Sequence, residues 1–282
     1  MPQTIPRERF VDAAGVPIFV REYGEGEPVV LLHGFPETGR CWHEVAQRLA
    51  EGHRVIVPDL PGYGRSGRPP SFDASAIAQT LIDAFDAAGL EQVPVAGHDW
   101  GGAITYRLAL DHPERVSKIA VVNSPFRSLH LKRGWHMLFF NLPVVPELLF
   151  SVAGPRVIDF ALHAGAARKD AFTSEARTEY HEAYASLERQ RSAFAYYRTM
   201  TRTIISRALP IPGRKRSGAP KRIEQPTLVI WGMKDPVLPP SLIDTIVRDI
   251  PQARVEQIHD AGHFVPEERP ERVAELLRDY LA

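Results

Sequence analysis

Short, continuous apolar runs recur along the chain with helical spacing between them. Pro28-Val29-Val30-Leu31-Leu32 is the clearest, and Arg54-Val55-Ile56-Val57, Val93-Pro94-Val95-Ala96 and Ile119-Ala120-Val121-Val122 resemble it. Thr227-Leu228-Val229-Ile230 and Arg254-Val255-Glu256-Gln257-Ile258 resume the pattern near the end. Runs of this length without strict alternation suit strands buried on both faces of a parallel sheet. Between them, Trp42 to Ala50, Ala74 to Ala88, Gly102 to Asp111 and Pro240 to Ile250 carry helical periodicity. Ahead of them, Arg9-Phe10-Val11 and Ile18-Phe19-Val20 flank Ala14-Gly15, which predicts a hairpin. Strand–helix alternation predicts an α/β fold with a mostly parallel sheet flanked by helices.

The alternation stops from about Phe126 to Ala219. Leu138, Leu142, Leu149, Val152, Ile158 and Leu162 are spaced as helix faces, and no strand pattern intervenes. A stretch of about 90 residues is too long for one crossover. It predicts an inserted helical cap over residues 126–219, with residues 1–125 and 220–282 forming the core. The insertion closes on the basic run from Gly213 to Arg222, where no aromatic residue interleaves the charges, so it reads as a solvated linker.

Composition narrows the partners. Lys plus Arg and Asp plus Glu are both 34 among 282 residues, so there is no basic excess to displace counterions from nucleic acid. The single cysteine, Cys41, excludes an internal disulfide framework and a thiolate metal cluster. The opening residues, MPQTIPRERF, lack the apolar core of a signal peptide. The most apolar stretch, Met137 to Val152, is broken by Asn141, Pro143, Pro146 and Glu147, so no membrane span is expected. The expectation is a cytoplasmic protein acting on a small molecule, with export of a processed precursor left open.

The sharpest local signal is Val95-Ala96-Gly97-His98-Asp99-Trp100-Gly101-Gly102 between a strand and a helix. It has the form G-x-nucleophile-x-G, in which small neighbours let the helix pack back on the strand while the apex side chain is pushed into the site. The apex here is Asp99; taken alone, the segment also reads as a turn with Asp99 capping the helix. A carboxylate is already anionic at neutral pH and can displace a leaving group from saturated carbon, giving an alkyl ester. Hydrolysing that ester needs a base. His263, in His259-Asp260-Ala261-Gly262-His263-Phe264, follows the last strand, and Asp235, in Trp231-Gly232-Met233-Lys234-Asp235-Pro236, follows the one before. Nucleophile, acid and histidine in that order make a triad in which Asp235 orients His263. His33-Gly34-Phe35-Pro36 ends the third strand, where the Phe35 N–H joins that of Trp100 in an oxyanion hole. Gly62-Tyr63-Gly64-Arg65-Ser66-Gly67 imitates a dinucleotide loop, but Arg68-Pro69-Pro70 opposes the helix such a loop must open. No phosphate-loop lysine motif or zinc-type His/Cys spacing occurs, so neither cofactor nor metal is expected.

These motifs resemble the α/β-hydrolase superfamily over nearly the whole chain, and HGFPE with GHDWGG resembles its epoxide hydrolase branch. The resemblance implies two cap donors for the opening epoxide oxygen. Phe194-Ala195-Tyr196-Tyr197-Arg198-Thr199-Met200 matches one tyrosine motif, placing that role on Tyr197 with Tyr196 as its rival. Trp135-His136-Met137-Leu138-Phe139-Phe140-Asn141-Leu142-Pro143 matches the other, with His136 in place of tyrosine. Haloalkane and haloacetate dehalogenases share the aspartate nucleophile. The former resemble this chain less, because Phe35 stands where an Asn donor is expected and Trp135 is a weak substitute. The latter have arginines where Trp100 and Ala103 stand. A non-catalytic ligand receptor on this fold has no need of a complete triad, and all three members are present. The resemblance therefore implies an epoxide hydrolase that turns a small apolar epoxide into a diol; a homodimer is compatible with it. Met137, Leu138, Phe139, Phe140, Val144 and Leu148 read equally as a pocket wall or as a helix core.

Overall fold

The computed structural model describes residues 5–127, 135–208 and 221–282. Strands β1 (Arg7–Ala13) and β2 (Val16–Tyr23) form the expected hairpin, in register from Arg7 opposite Glu22 to Ala13 opposite Val16. Its turn places Ala14 and Gly15 both at positive φ (50° and 91°), which matches the right-handed twist of the flanking strands. The remaining strands are β3 (Glu27–Leu32), β4 (His53–Pro58), β5 (Val93–His98), β6 (Val116–Val122), β7 (Thr227–Gly232) and β8 (Arg254–Ile258). They join the hairpin in one eight-stranded sheet of order β1-β2-β4-β3-β5-β6-β7-β8. Pairing is antiparallel at β1–β2 and β2–β4 and parallel from there on. The apolar runs sit where burial on both faces demands them: Val30, Leu31, Leu32 and Leu228 to Trp231 are inaccessible to solvent.

Helix α1 (His43–Leu49) links β3 to β4 in one direction across the sheet, and α2 (Ala74–Ala87) leads on to β5. Helix α3 (Trp100–Asp111) links β5 to β6 in the other direction. Right-handed crossovers running opposite ways place α1 and α3 on opposite faces. The chain thus reverses direction across the sheet between β3 and β5. A crevice opens there beyond the carboxyl ends of the strands, which is where open α/β sheets bind ligands.

Between β6 and β7 the described residues hold four helices and no strand: α4 (Trp135–Asn141), α5 (Val145–Gly165), α6 (Ser174–Ala183) and α7 (Leu187–Ala208). Pro155 removes a helix bond inside α5, and the backbone kinks at Ala153 (φ −135°). Phe140 stacks on Phe194 at 4.9 Å between ring centres, and Arg198 of α7 reaches Glu147 (2.7 Å) and the Phe140 carbonyl (3.0 Å). Arg21 of β2 pairs with Glu179 of α6 at 2.9 Å, tying the helices to the sheet. Helices α8 (Leu242–Asp249), α9 (Val265–Glu268) and α10 (Pro270–Leu281) complete the chain, with α10 packed on α1.

The apolar residues of the insertion divide by face. Phe140, Ile158 and Leu162 are buried, whereas Leu138, Leu142, Val144, Leu148, Leu149 and Val152 are exposed. Residues four apart share a face, so His136 and Phe140 turn inward together while Leu138 turns out. The sequence pattern alone does not distinguish those two faces. Up to Pro220 the basic run lies outside the described residues. The glycine loop at 62–67 is a turn bound to Asp59, whose Oδ2 accepts from Arg65 N at 2.9 Å, and α2 opens only at Ala74. Among the described residues no helix is long and apolar enough to cross a membrane.

Candidate active site

The nucleophile position is a strained turn built by close packing. Asp99 sits between β5 and α3 at φ 50°, ψ −115°, outside the basins an L-residue ordinarily occupies. Its neighbours over-determine that geometry. Asp99 N donates to Val122 O (3.2 Å), and Asp99 O accepts from Ala103 N (3.0 Å) and Ser124 Oγ (2.8 Å). A Cβ on Gly97 would collide with the Gly101 backbone, and one on Gly34 with the Asp99 side chain. Glycine at those two positions lets α3 and the β3 loop close on the apex.

The structure brings the predicted triad together from three loops at the carboxyl ends of β5, β7 and β8. His263 Nδ1 lies 2.8 Å from Asp235 Oδ2, and His263 Nε2 lies 3.6 Å from Asp99 Oδ2. Phe35 N donates to the other Asp99 oxygen at 3.0 Å. Trp100 N opens α3, so its N–H belongs to the first turn, whose donors lack helical acceptors. Burial disfavours ionised Asp99, but the hydrogen bond and charge of His263, the nearby His98 and the Phe35 N–H outweigh it and hold the carboxyl below the usual range. Burial likewise opposes charge on His263. Its pairing with Asp235 and then Asp99 prevails, and its proton is held well above the ordinary histidine value.

Asp235 is itself fixed. Its Oδ1 accepts from Val237 N (2.7 Å) and Leu238 N (2.8 Å), and Asn123 Nδ2 donates to Oδ2 at 2.6 Å. Asn123 was not singled out in the sequence. It follows β6, stands at φ 41°, and accepts from Gly232 N at 2.8 Å, so it joins the ends of β6 and β7 beneath the acid. A polar residue able to adopt positive φ at a strand's carboxyl end was the available signal. His98 and Glu37 were also missed as a pair: His98 bridges Glu37 Oε2 (2.9 Å) and the His263 carbonyl (2.8 Å), wholly buried.

Asp99 faces a cavity of about 610 Å³, and Trp100, His136, Tyr196 and Tyr197 line it as well. The Tyr197 ring stands edge-on to Trp100 (5.0 Å), Phe35 (5.5 Å) and His136 (6.0 Å). Burial, then the charge of Asp99, push the Tyr197 phenol well above its ordinary value against a hydrogen bond with Trp100, so it keeps its proton at neutral pH. The Tyr196 hydroxyl is committed to the Pro61 carbonyl at 2.7 Å. Tyr184, also absent from the sequence reading, packs on Phe35 at 5.6 Å, and its buried hydroxyl has no hydrogen-bond partner among the described residues.

His33 holds the β3 loop. Leu60 N donates to its Nε2 (2.9 Å), so Nδ1 carries the proton and donates to Gly34 O (2.9 Å). Burial pushes its pKa down to about 4. The folded state therefore binds fewer protons than the unfolded chain between pH 4 and 6.5, and stability falls on acidification across that window. The contribution is about 3 kcal/mol. Urea unfolding of wild type and His33→Gln at pH 7 and pH 4.5 measures it: the wild type loses more stability by that order, and equal losses refute the assignment.

Comparison with known proteins identifies the family. The family model for the alpha/beta hydrolase fold matches residues 27–270. The chain is 31% identical to the AB hydrolase superfamily protein YfhM of Bacillus subtilis, over 97% of both. It is 28% identical to epoxide hydrolase A of Mycobacterium tuberculosis, over 98% of this chain and 97% of that one. A solved structure from Nostoc, described as an alpha/beta hydrolase, superposes with a TM-score of 0.86 at 27% identity, over 98% of both chains. The chain belongs to the α/β-hydrolase family.

Proposed function

We propose that the protein is an epoxide hydrolase whose nucleophile is Asp99. The observation that carries this reading is the carboxylate itself, strained into the cavity, with Phe35 N–H on one oxygen and His263 3.6 Å from the other. Asp99 Oδ2 attacks an oxirane carbon, the carbon–oxygen bond breaks, and the departing alkoxide takes a proton from Tyr197 or His136 across the cavity. The product is an ester on Asp99. Water then adds to its carbonyl carbon while His263 takes the proton, and the N–H groups of Phe35 and Trp100 hold the oxyanion. Collapse expels the diol oxygen, which takes the proton back from His263; Asp99 is restored as a carboxylate with one oxygen from water, and the proton its new carboxyl sheds returns to the ring-opening donor. Residues 126–219 act as a cap that carries the ring-opening donors over this core.

Forming the ester removes the Asp99 charge, one of the two that keep His263 protonated. Its proton affinity falls when a base is needed. The mostly apolar cavity wall favours an apolar substrate body.

Tyr197→Phe tests the leaving-group assignment. It removes one hydroxyl, and diol formation is expected to fall by about 10²-fold or more. Halide departs without a proton, so release from a matched haloalkane measures the alternative chemistry of the same nucleophile. Rapid halide release with no epoxide turnover by wild type would replace this reading with a dehalogenase.

A further inference from the structure

The loop that carries His263 is held from outside itself. His263 N donates to Gly165 O of α5 at 2.9 Å, and His98 Nε2 lies 2.8 Å from the His263 carbonyl. The residues on either side both turn their N–H groups to one buried side chain. Gly262 N lies 3.0 Å from each carboxyl oxygen of Glu268, and Phe264 N donates to Oε1 at 3.1 Å. The same carboxyl group reaches the helical insertion, where Ala167 N and Arg168 N both donate to Oε2 at 2.8 Å. Glu268 is 1% exposed, so water does not compete for these bonds. Packing at this seam leaves no room for side chains. A Cβ on Gly262 would stand 2.5 Å from Ala167 N and from Gly165 O, and one on Gly165 would stand 2.6 Å from the Phe264 ring. Residues 165–168 and the loop at 262–264 therefore form one hydrogen-bonded unit. The insertion contributes only main-chain groups to these bonds, so they survive changes in its side chains.

We infer that Glu268 is a positioning residue for His263. Its carboxyl group fastens the loop that carries the imidazole to residues 165–168, so His263 meets Asp235 and Asp99 in line only while that edge of the insertion is seated on the core. The effect on turnover rests on the reading of His263 as the base that hydrolyses the ester; the fastening does not.

Two measurements separate them. The first follows a single turnover of styrene oxide by mass spectrometry of the quenched protein. Glu268→Gln replaces one acceptor oxygen by an NH2 group, so either the Ala167 and Arg168 N–H groups or that of Phe264 loses its partner. The Asp99 ester is expected to form at the wild-type rate and to decay about tenfold more slowly or worse, as for a misplaced catalytic group. Ala167→Pro removes one of the N–H donors from the other side. Ala166 already has the extended backbone that a following proline demands (φ −81°, ψ 142°), so this variant carries the test even if Glu268→Gln fails to fold. It slows the same step by less. Tyr180→Phe is the control: it deletes another bond between insertion and core, from Tyr180 Oη to Glu267 Oε1 at 2.8 Å, and is expected to lower the unfolding temperature without slowing ester decay. Unchanged ester decay in folded Glu268→Gln and Ala167→Pro overturns the assignment. So does an equal loss in both half-reactions, or slowed decay in Tyr180→Phe, because either reports general loosening.

The second measurement needs no turnover. The His263 Nδ1–H proton, shared with Asp235 at 2.8 Å, is followed by NMR and assigned by its loss in His263→Gln. A resonance shifted or broadened in Glu268→Gln and Ala167→Pro but not in Tyr180→Phe, without turnover of any epoxide by wild type, keeps the positioning role and refutes the reaction. A resonance unmoved in the first two variants refutes the positioning role.

Discussion

Alanine at position 99 is expected to lower epoxide turnover by at least about 10⁴-fold, because no other group can form the covalent bond. The strained backbone that raises Asp99 into the cavity is set by its neighbours, so alanine inherits the position without the reactive oxygen. The cost to folding is bounded. Phe35 N loses its acceptor, which is worth about 1–3 kcal/mol for a donor left unsatisfied. Diol formation by rigorously purified Asp99→Ala, alongside its thermal unfolding curve, separates lost chemistry from lost structure. A folded variant that consumes epoxide at the wild-type rate removes Asp99 from the mechanism. The wild type should also keep its alkylation step into acidic solution, because His263, His98 and the Phe35 N–H overcome burial and hold the Asp99 carboxyl below its usual range.

His263→Gln should produce the opposite kind of defect. Attack on the epoxide survives, while hydrolysis of the ester slows by about 10²–10⁴-fold for want of a base. One equivalent of epoxide is consumed in a burst, and the intact protein gains the mass of the substrate on the peptide containing Asp99. The substitution is mild for the fold, since Asp235 keeps its bonds from Val237, Leu238 and Asn123 when the imidazole goes. Mass spectrometry of the quenched reaction reads the adduct directly. Slow turnover without an adduct places the defect before ester formation and refutes the division of labour between Asp99 and His263.

The strands and the triad order were legible because both are local signals: apolar runs, small residues at a sharp turn, and acids or histidines just past strand ends. Asp99, Asp235 and His263 converge because each lies in a loop that follows a parallel strand of one sheet. Asn123 was not legible, for its partners Asp235 and Gly232 lie more than a hundred residues away. Glu37 with His98 is the same case across 61 residues. The apolar side chains of α4 and α5 failed differently. Hydrophobicity marks the faces a helix can bury, but the neighbours decide which face is taken, and Leu138 and Leu148 were left outside.

The helical insertion between β6 and β7 gives the chain a division of chemical duties. On the roles proposed here, groups that make and hydrolyse the ester come from the sheet, and those that accept the departing oxygen come from α4 and α7. Bond making and leaving-group care are thus encoded in separate stretches of gene. Variation confined to the inserted stretch can retune which bond is broken while the ester machinery is inherited unchanged, so new reactivities are reachable without passing through an inactive ancestor.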